Sequence, residues 1–184
     1  GSFNTAVYRN ALNFSPADPI KDENGNWFQS PSKTDYSNPL ALLYETEGKN
    51  QATTLRMHSA ISLIPITGLE IKYLVSRVAY NQVRGYYETQ KHLSTVKDNR
   101  NGFSSRGTTR AINDQSELTA QYNTTIARDH NLTLLGGYTW LKRNYQNYWM
   151  QNWIYPSDDY TYNAMQNGQA LRDGRANMNS EQTE

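Results

Sequence analysis

Residues 54–86 and 116–148 alternate apolar and polar side chains, and each stretch doubles back at a very short turn. A period of two sends successive side chains to opposite faces of an extended strand, so each stretch reads as a β-hairpin with one apolar face. The turns are expected at Pro65-Ile66-Thr67-Gly68 and at Arg128-Asp129-His130-Asn131. The polar stretches 87–115 and 149–184 carry no such alternation and read as long loops. Few architectures combine tight turns at one end with long loops at the other.

In the first strand Leu55, Met57, Ser59, Ile61 and Leu63 share a face, with Thr54, Arg56, His58, Ala60 and Ser62 on the other. The second strand sets Leu69, Ile71, Tyr73 and Val75 against Glu70, Lys72, Leu74 and Ser76, and then places Arg77 on the apolar row. An arginine facing hydrocarbon is costly, so Arg77 is expected near a membrane interface, or a bulge after Ser76 swaps the faces. The third strand carries Leu118, Ala120, Tyr122, Thr124 and Ile126, alternating with polar Thr119, Gln121, Asn123 and Thr125. The fourth carries Leu132, Leu134, Gly136, Tyr138 and Trp140. The expected turn sets Tyr122 across from Tyr138. Tyr138, Trp140 and Tyr122 are the expected aromatic belt, since amphipathic rings collect at the membrane–water boundary.

Composition agrees with a wall of this kind. Only 36% of the 184 residues are hydrophobic, below the half usual for a soluble globular domain, yet Tyr, Trp and Phe number 14, 4 and 4. A barrel needs apolar residues only at alternate strand positions, whereas disorder is poor in aromatics. The fold class is therefore all-β: an antiparallel segment of a large transmembrane β-barrel, about four strands as two hairpins, with short helices in the loops. Four strands cannot close a barrel, for which about 8 are needed, and open edges are not tolerated in lipid. The chain is expected to begin and end within loops, as one part of a single barrel domain. Residues 1–53 are a loop region with short helices, 54–86 the first hairpin, 87–115 a loop, 116–148 the second hairpin, and 149–184 a further loop. Neither a membrane helix nor a signal peptide is present, which fits a mature or excised segment.

Chemistry-bearing patterns are sparse. With 18 basic and 17 acidic residues, no cationic stripe calls for nucleic acid. Lys97, Arg100, Arg106 and Arg110 read as a solvated loop cluster. Asp22, Asn24 and Asn26 resemble a calcium loop only faintly, because the glycine is misplaced and no closing glutamate follows. Cysteine is absent, and His58, His92 and His130 form no zinc motif. Asp158 and Asp159 are neighbours that an extended chain points apart. No catalytic residue, metal or cofactor is expected, and the chain is read as a non-enzyme. Trp149, Trp153 and Tyr155, with Trp27 behind them, are the candidate ligand contacts, on the density of aromatic rings in loops.

Three runs carry a resemblance: Asn10-Ala11-Leu12-Asn13-Phe14-Ser15-Pro16-Ala17-Asp18-Pro19-Ile20, Asp22-Glu23-Asn24-Gly25-Asn26-Trp27, and Asn38-Pro39-Leu40-Ala41-Leu42-Leu43. With Ile66-Thr67-Gly68-Leu69, Arg84-Gly85-Tyr86-Tyr87, Asp129-His130-Asn131-Leu132 and Leu134-Leu135-Gly136-Gly137-Tyr138 in the same order, the chain resembles the SusC/RagA family of TonB-dependent transporters. That resemblance implies a multi-pass outer-membrane barrel of about 22 strands in Bacteroidota. It implies import of oligosaccharides or peptides with a SusD-like surface lipoprotein, driven by TonB through regions outside this segment. Further expected partners are the remainder of the barrel and outer-membrane lipid. The alternative is a soluble secreted β-sheet module that binds carbohydrate through its rings.

Overall fold

A computed structural model of the chain describes residues 2–30, 37–175 and 177–183, with side chains from residue 7 onward. Its strands are β1 (Thr46–Ile66), β2 (Leu69–Glu88), β3 (Phe103–Ile126), β4 (His130–Trp153) and β5 (Met178–Thr183). They form one five-stranded sheet in the order β1-β2-β3-β4-β5, which leaves β1 and β5 as open edges. The all-β expectation holds, with two differences. A fifth strand stands where the final polar stretch read as loop, and β3 begins at Phe103, so the loop before it ends about a dozen residues earlier than expected. Both segments are mostly polar and carry no sustained apolar alternation for a sequence reading to detect.

The helices are short: α1 (Ser2–Asn13), α2 (Pro39–Tyr44), α3 (Leu93–Lys97) and α4 (Gln169–Arg172). Asn38 caps α2 as expected: its Oδ1 accepts the Leu40 N–H at 3.0 Å, with Pro39 at the first helical position. Its amide also donates to the carbonyls of Ile20 and Phe28, so one buried side chain fixes both the helix start and the preceding hairpin.

The chain forms two compact units. A loop unit comprises Gly1–Asn50, Arg84–Gly107 and Trp149–Asn179; a strand unit comprises Gln51–Val83, Thr108–Tyr148 and Ser180–Glu184. Every buried hydrophobic residue among those described belongs to the loop unit: Ala41, Tyr87, Phe103, Tyr155, Met165 and Ala170. The strand unit has a regular sheet but no apolar core of its own. Leu118, Ile126, Leu132 and Leu134 are 48%, 51%, 38% and 55% exposed.

One register runs along β3 and β4. Thr125 Oγ1 meets Asn131 Oδ1 at 2.9 Å, Thr133 Oγ1 meets Asn123 Oδ1 at 2.8 Å, and Thr109 Oγ1 meets Asn147 Oδ1 at 3.0 Å. These groups belong to the polar row, and they form a hydrogen-bonded ladder across the strands. The register sets Tyr138 across from Leu118 and Tyr122 across from Leu134, not across from Tyr138 as expected. The cause lies in the turn. Ala127 and Arg128 both take left-handed backbone angles, φ 50° and 70°, which closes the hairpin earlier than the sequence suggested. Tyr122 thus lies four residues nearer the turn than the Leu118–Tyr138 pair.

On β2, Arg77 stays on the row of Tyr73. Tyr73 reaches Ser116 of β3, and Arg77 forms a two-point ion pair with Asp114, two residues along, at 2.6 and 2.8 Å. No face swap separates these contacts, so of the two alternatives the bulge after Ser76 is absent, and Arg77 is met by a charge pair across the strands.

The β1–β2 turn rests on Gly68, whose φ is +89° and whose carbonyl accepts the Asn123 N–H at 2.8 Å. A Cβ there would collide with the Asn123 carbonyl. Gly68→Ala is therefore expected to destabilise the fold by about 1–3 kcal/mol. Arg128→Gly relieves left-handed strain and is expected to stabilise it by up to about 1 kcal/mol. Paired thermal melts of the two variants check both signs.

Candidate functional site

All four candidate ligand contacts, Trp27, Trp149, Trp153 and Tyr155, lie in the loop unit, and the three belt candidates, Tyr122, Tyr138 and Trp140, lie in the strand unit. Local chemistry separates them further.

Trp27 ends a tight hairpin around Asn24-Gly25. Asp22 Oδ1 accepts the N–H groups of Asn24 and Asn26 at 2.9 and 2.8 Å, and Lys21 and Trp27 form a β-bridge. The Asp22 carboxylate thus organises the turn, which accounts for its calcium-like spacing. The indole is held on several sides. Nε1 donates to Glu45 Oε1 at 2.8 Å, Tyr44 stacks on the ring at 6.2 Å, and the Lys21 ammonium lies 4.9 Å from the ring centre. Glu45 is itself tied to Thr89 through both its side chain and its carbonyl.

Tyr155 is wholly buried. Its ring packs edge-on against buried Tyr87, 5.6 Å between centres, and its hydroxyl bonds Ser104. Tyr87 donates to Asp158 Oδ1, which also accepts the Gln90 N–H, each at 2.9 Å. Burial pushes the Tyr155 phenol up, and its bond with Ser104 offsets part of that. Within this chain Tyr155 presents no surface to a ligand; it is a pillar of the loop core. Asp158, one of the adjacent carboxylate pair, is likewise engaged in structure.

Trp153 and Trp149 remain partly exposed. The Arg100 guanidinium sits 5.8 Å from the Trp153 ring and 5.4 Å from Phe103, and it pairs with Asp98 at 3.1 Å. Arg106 and Arg110 lie on β3, so the expected cationic loop cluster is dispersed. Arg100 and Phe103 belong beside Trp153 in any account of this surface. Fifty residues of sequence separate them, so no local pattern could have joined them.

Asn152 organises the chain beyond β4. Its amide donates to the carbonyls of Met165 and Gly168 at 2.6 and 2.9 Å, and its Oδ1 accepts the N–H groups of Trp153 and Leu171, each at 2.9 Å. Gly168 packs so close that a Cβ would lie 2.5 Å from the Asn152 amide nitrogen.

His92 is buried at the start of α3. Its Nδ1 accepts the Ser94 N–H at 3.2 Å and lies 2.8 Å from Ser94 Oγ, while Nε2 is buried with no hydrogen-bond partner among the described residues. Ser94 donates to Glu88, which also accepts from Tyr86. Burial lowers the His92 pKa, opposed by the charges of Glu88 and Glu45. Among the described residues no cluster of three metal-ligating side chains occurs.

No protein-family model matches the sequence, and no curated protein sequence matches it. Solved structures do share its fold. A chain of the RagAB peptide transporter superimposes with a TM-score of 0.70 at 16% identity, over 92% of this chain and 18% of that one. A chain of the RagAB peptide importer in its closed-closed state does so with 0.70 at 15%, over 88% of this chain and 18% of that one. The chain thus spans about a fifth of the length of the structures it matches, and the likeness is one of fold.

Two measurements test this core. Asn152→Ala strands several buried polar groups and is expected to cost about 2–4 kcal/mol, read as lost amide protection over residues 164–171 in hydrogen exchange. The second concerns pH. A His92 that resists protonation when folded gives stability that is full above its ordinary value, near 6.5. That stability falls as pH drops below this value, because only the unfolded chain then takes up the proton. Amide protection in α3 is expected to weaken from pH 7 to pH 5, and a His92→Asn variant, which keeps a capping acceptor, to show a flatter profile.

Proposed function

We propose that this chain is a wall segment of an outer-membrane importer of the SusC type, which takes up peptides or oligosaccharides with a SusD-like lipoprotein and draws its energy through TonB. The observation that carries this reading is a sheet with one apolar row and nothing covering it. In water a row of exposed Leu55, Met57, Ile61, Leu63, Leu118, Leu132 and Leu134 is an aggregation surface; in a bilayer it is the wall. Strand length supports the same reading. β1 to β4 run 21, 20, 24 and 24 residues, about twice the ~9–11 needed to cross a membrane. The fold likeness to a peptide transporter favours peptides within the substrate class.

The belt assignment rests on Tyr138 and Trp140, 70% and 48% exposed. Tyr73 joins them, and Tyr122 lies closer to the turn. Ligand contact is assigned to Trp149 and Trp153, with Trp27 behind them. The soluble carbohydrate-binding module has no comparable support, because it requires the apolar row to be buried within the chain.

In the intact transporter, Trp149→Ala and Trp153→Ala are each expected to weaken peptide binding about 2–10-fold, in keeping with one lost ring contact. Calorimetric titration measures this, and unchanged affinity for both would remove the assignment. Production of residues 1–184 alone separates the two classes. Aggregation without detergent supports the wall, and a soluble, cooperatively melting monomer would reject it.

A further inference from the structure

The dipeptide Asn-Gly occurs three times in this chain, always in the loop unit: Asn24-Gly25, Asn101-Gly102 and Asn167-Gly168. Such a pair is prone to attack by the glycine nitrogen on the asparagine side-chain amide, because glycine has no Cβ to block the approach. The sequence makes the three pairs equals; the fold does not. At Asn101-Gly102 the Asn101 amide donates to the Tyr155 carbonyl at 3.0 Å, and Gly102 is buried where a Cβ would lie 2.8 Å from the Tyr87 hydroxyl. At Asn167-Gly168 the glycine is buried against Asn152, and its N–H donates to the Met165 carbonyl at 3.2 Å. Asn24 and Gly25 are both exposed, and apart from the chain neighbours no described atom lies within 4 Å of where a Gly25 Cβ would stand. The restraint on attack is the Gly25 N–H bond to the Asp22 carbonyl at 3.0 Å, which local opening of an exposed turn releases.

We propose that Asn24-Gly25 is a self-modification site, which converts to aspartate and isoaspartate and thereby loosens the seat of Trp27. The step needs only base and water. Base takes the Gly25 N–H proton, and the nitrogen attacks Cγ of Asn24. An N–Cγ bond forms, the Cγ–Nδ2 bond breaks, and ammonia leaves with a proton. Water then opens the five-membered imide at either carbonyl. One opening restores the ordinary chain as aspartate. The other routes the backbone through Cβ and Cγ, one carbon longer, as isoaspartate. The net change is one water in and one ammonia out. Both products set a new carboxylate beside that of Asp22, whose Oδ1 accepts the N–H groups of residues 24 and 26 at 2.9 and 2.8 Å. Like charges repel there, and the longer link moves the Asn26 N–H off its acceptor. Asp22 N–H to the Asn26 carbonyl at 2.9 Å, and Phe28 N–H to the Ile20 carbonyl at 3.1 Å, flank the bridge that sets Lys21 beside Trp27. Opening that bridge takes the Lys21 ammonium from the indole, while Glu45 and Tyr44 hold the ring from its other sides.

The test incubates the intact protein at mildly alkaline pH, folded and in denaturant, and follows the three pairs by peptide mapping. In denaturant the three are expected to react at similar rates, since each asparagine precedes glycine. In the folded protein Asn24 is expected to react at least about tenfold faster than Asn101 or Asn167. Equal rates in the folded protein, or a buried pair reacting before Asn24, overturns the site. A folded Asn24 that reacts more than about a hundredfold slower than in denaturant also overturns it. Hydrogen exchange reads the consequence. In the isoaspartate form the Asn26 and Phe28 amides are expected to exchange about tenfold faster than in unconverted protein. Asn24→Asp, which adds the charge without the extra carbon, is expected to change them less. Unchanged exchange in the isoaspartate form overturns the loosening of Trp27.

Discussion

The pleat of a β-strand allows each side chain only one of two faces, and the hydrogen-bond ladder between β3 and β4 locks that choice over their length. Thr125–Asn131 at one end and Thr109–Asn147 at the other obey a single register. A slip of one residue would exchange the faces and set Asn123 and Gln121 among the leucines. The polar row resists such a slip because its own side chains are bonded across the strands. The apolar row is bonded across the strands only toward one end, at Tyr73–Ser116 and Arg77–Asp114, among the described residues, and the stability of its aliphatic part depends on what covers it. That asymmetry is why the sheet holds its geometry yet has no core within this chain.

The loop unit solves the opposite problem. It has few aliphatic residues to bury, so it is held by polar groups whose bonds are satisfied internally. Asn152 binds four backbone groups, Asp158 joins Tyr87 to Gln90, and Glu45 joins Trp27 to Thr89. Such networks are costly to leave half made, and this specifies one arrangement of otherwise irregular chain. Aromatic rings then divide by role. Tyr87 and Tyr155 form the buried support, Trp27 is clasped between Lys21 and Tyr44, and Trp149 and Trp153 keep exposed surface. A ring's value as a ligand contact follows from what already occupies its faces and its polar atom, and ring density in the sequence does not report that.

Arg77 illustrates how a local rule is broken and compensated. On an apolar row it is an anomaly, and the remedies legible in one strand are displacement or a bulge. The remedy in the structure lies on the neighbouring strand, where Asp114 meets the guanidinium at two points. The same layer adds Lys142, so charge gathers at the level where Tyr73, Tyr138 and Trp140 end the apolar stretch. The end of the apolar stretch is therefore set by three strands together.

The amino-acid order alone determined the two hairpins, the identity of the apolar row, the Asn38-Pro39 helix start and a tight turn ending at Gly68. These depend on periods of two, on caps and on turn residues, all set within a few positions of one another. Tertiary structure decided the register that separates Tyr122 from Tyr138, the burial of Tyr155, the capture of Trp27 by Glu45, and the pairing of Arg77 with Asp114. Each joins residues from 16 to 68 positions apart. Such contacts depend on turn geometry and strand alignment, which the order of side chains constrains only after the backbone has closed.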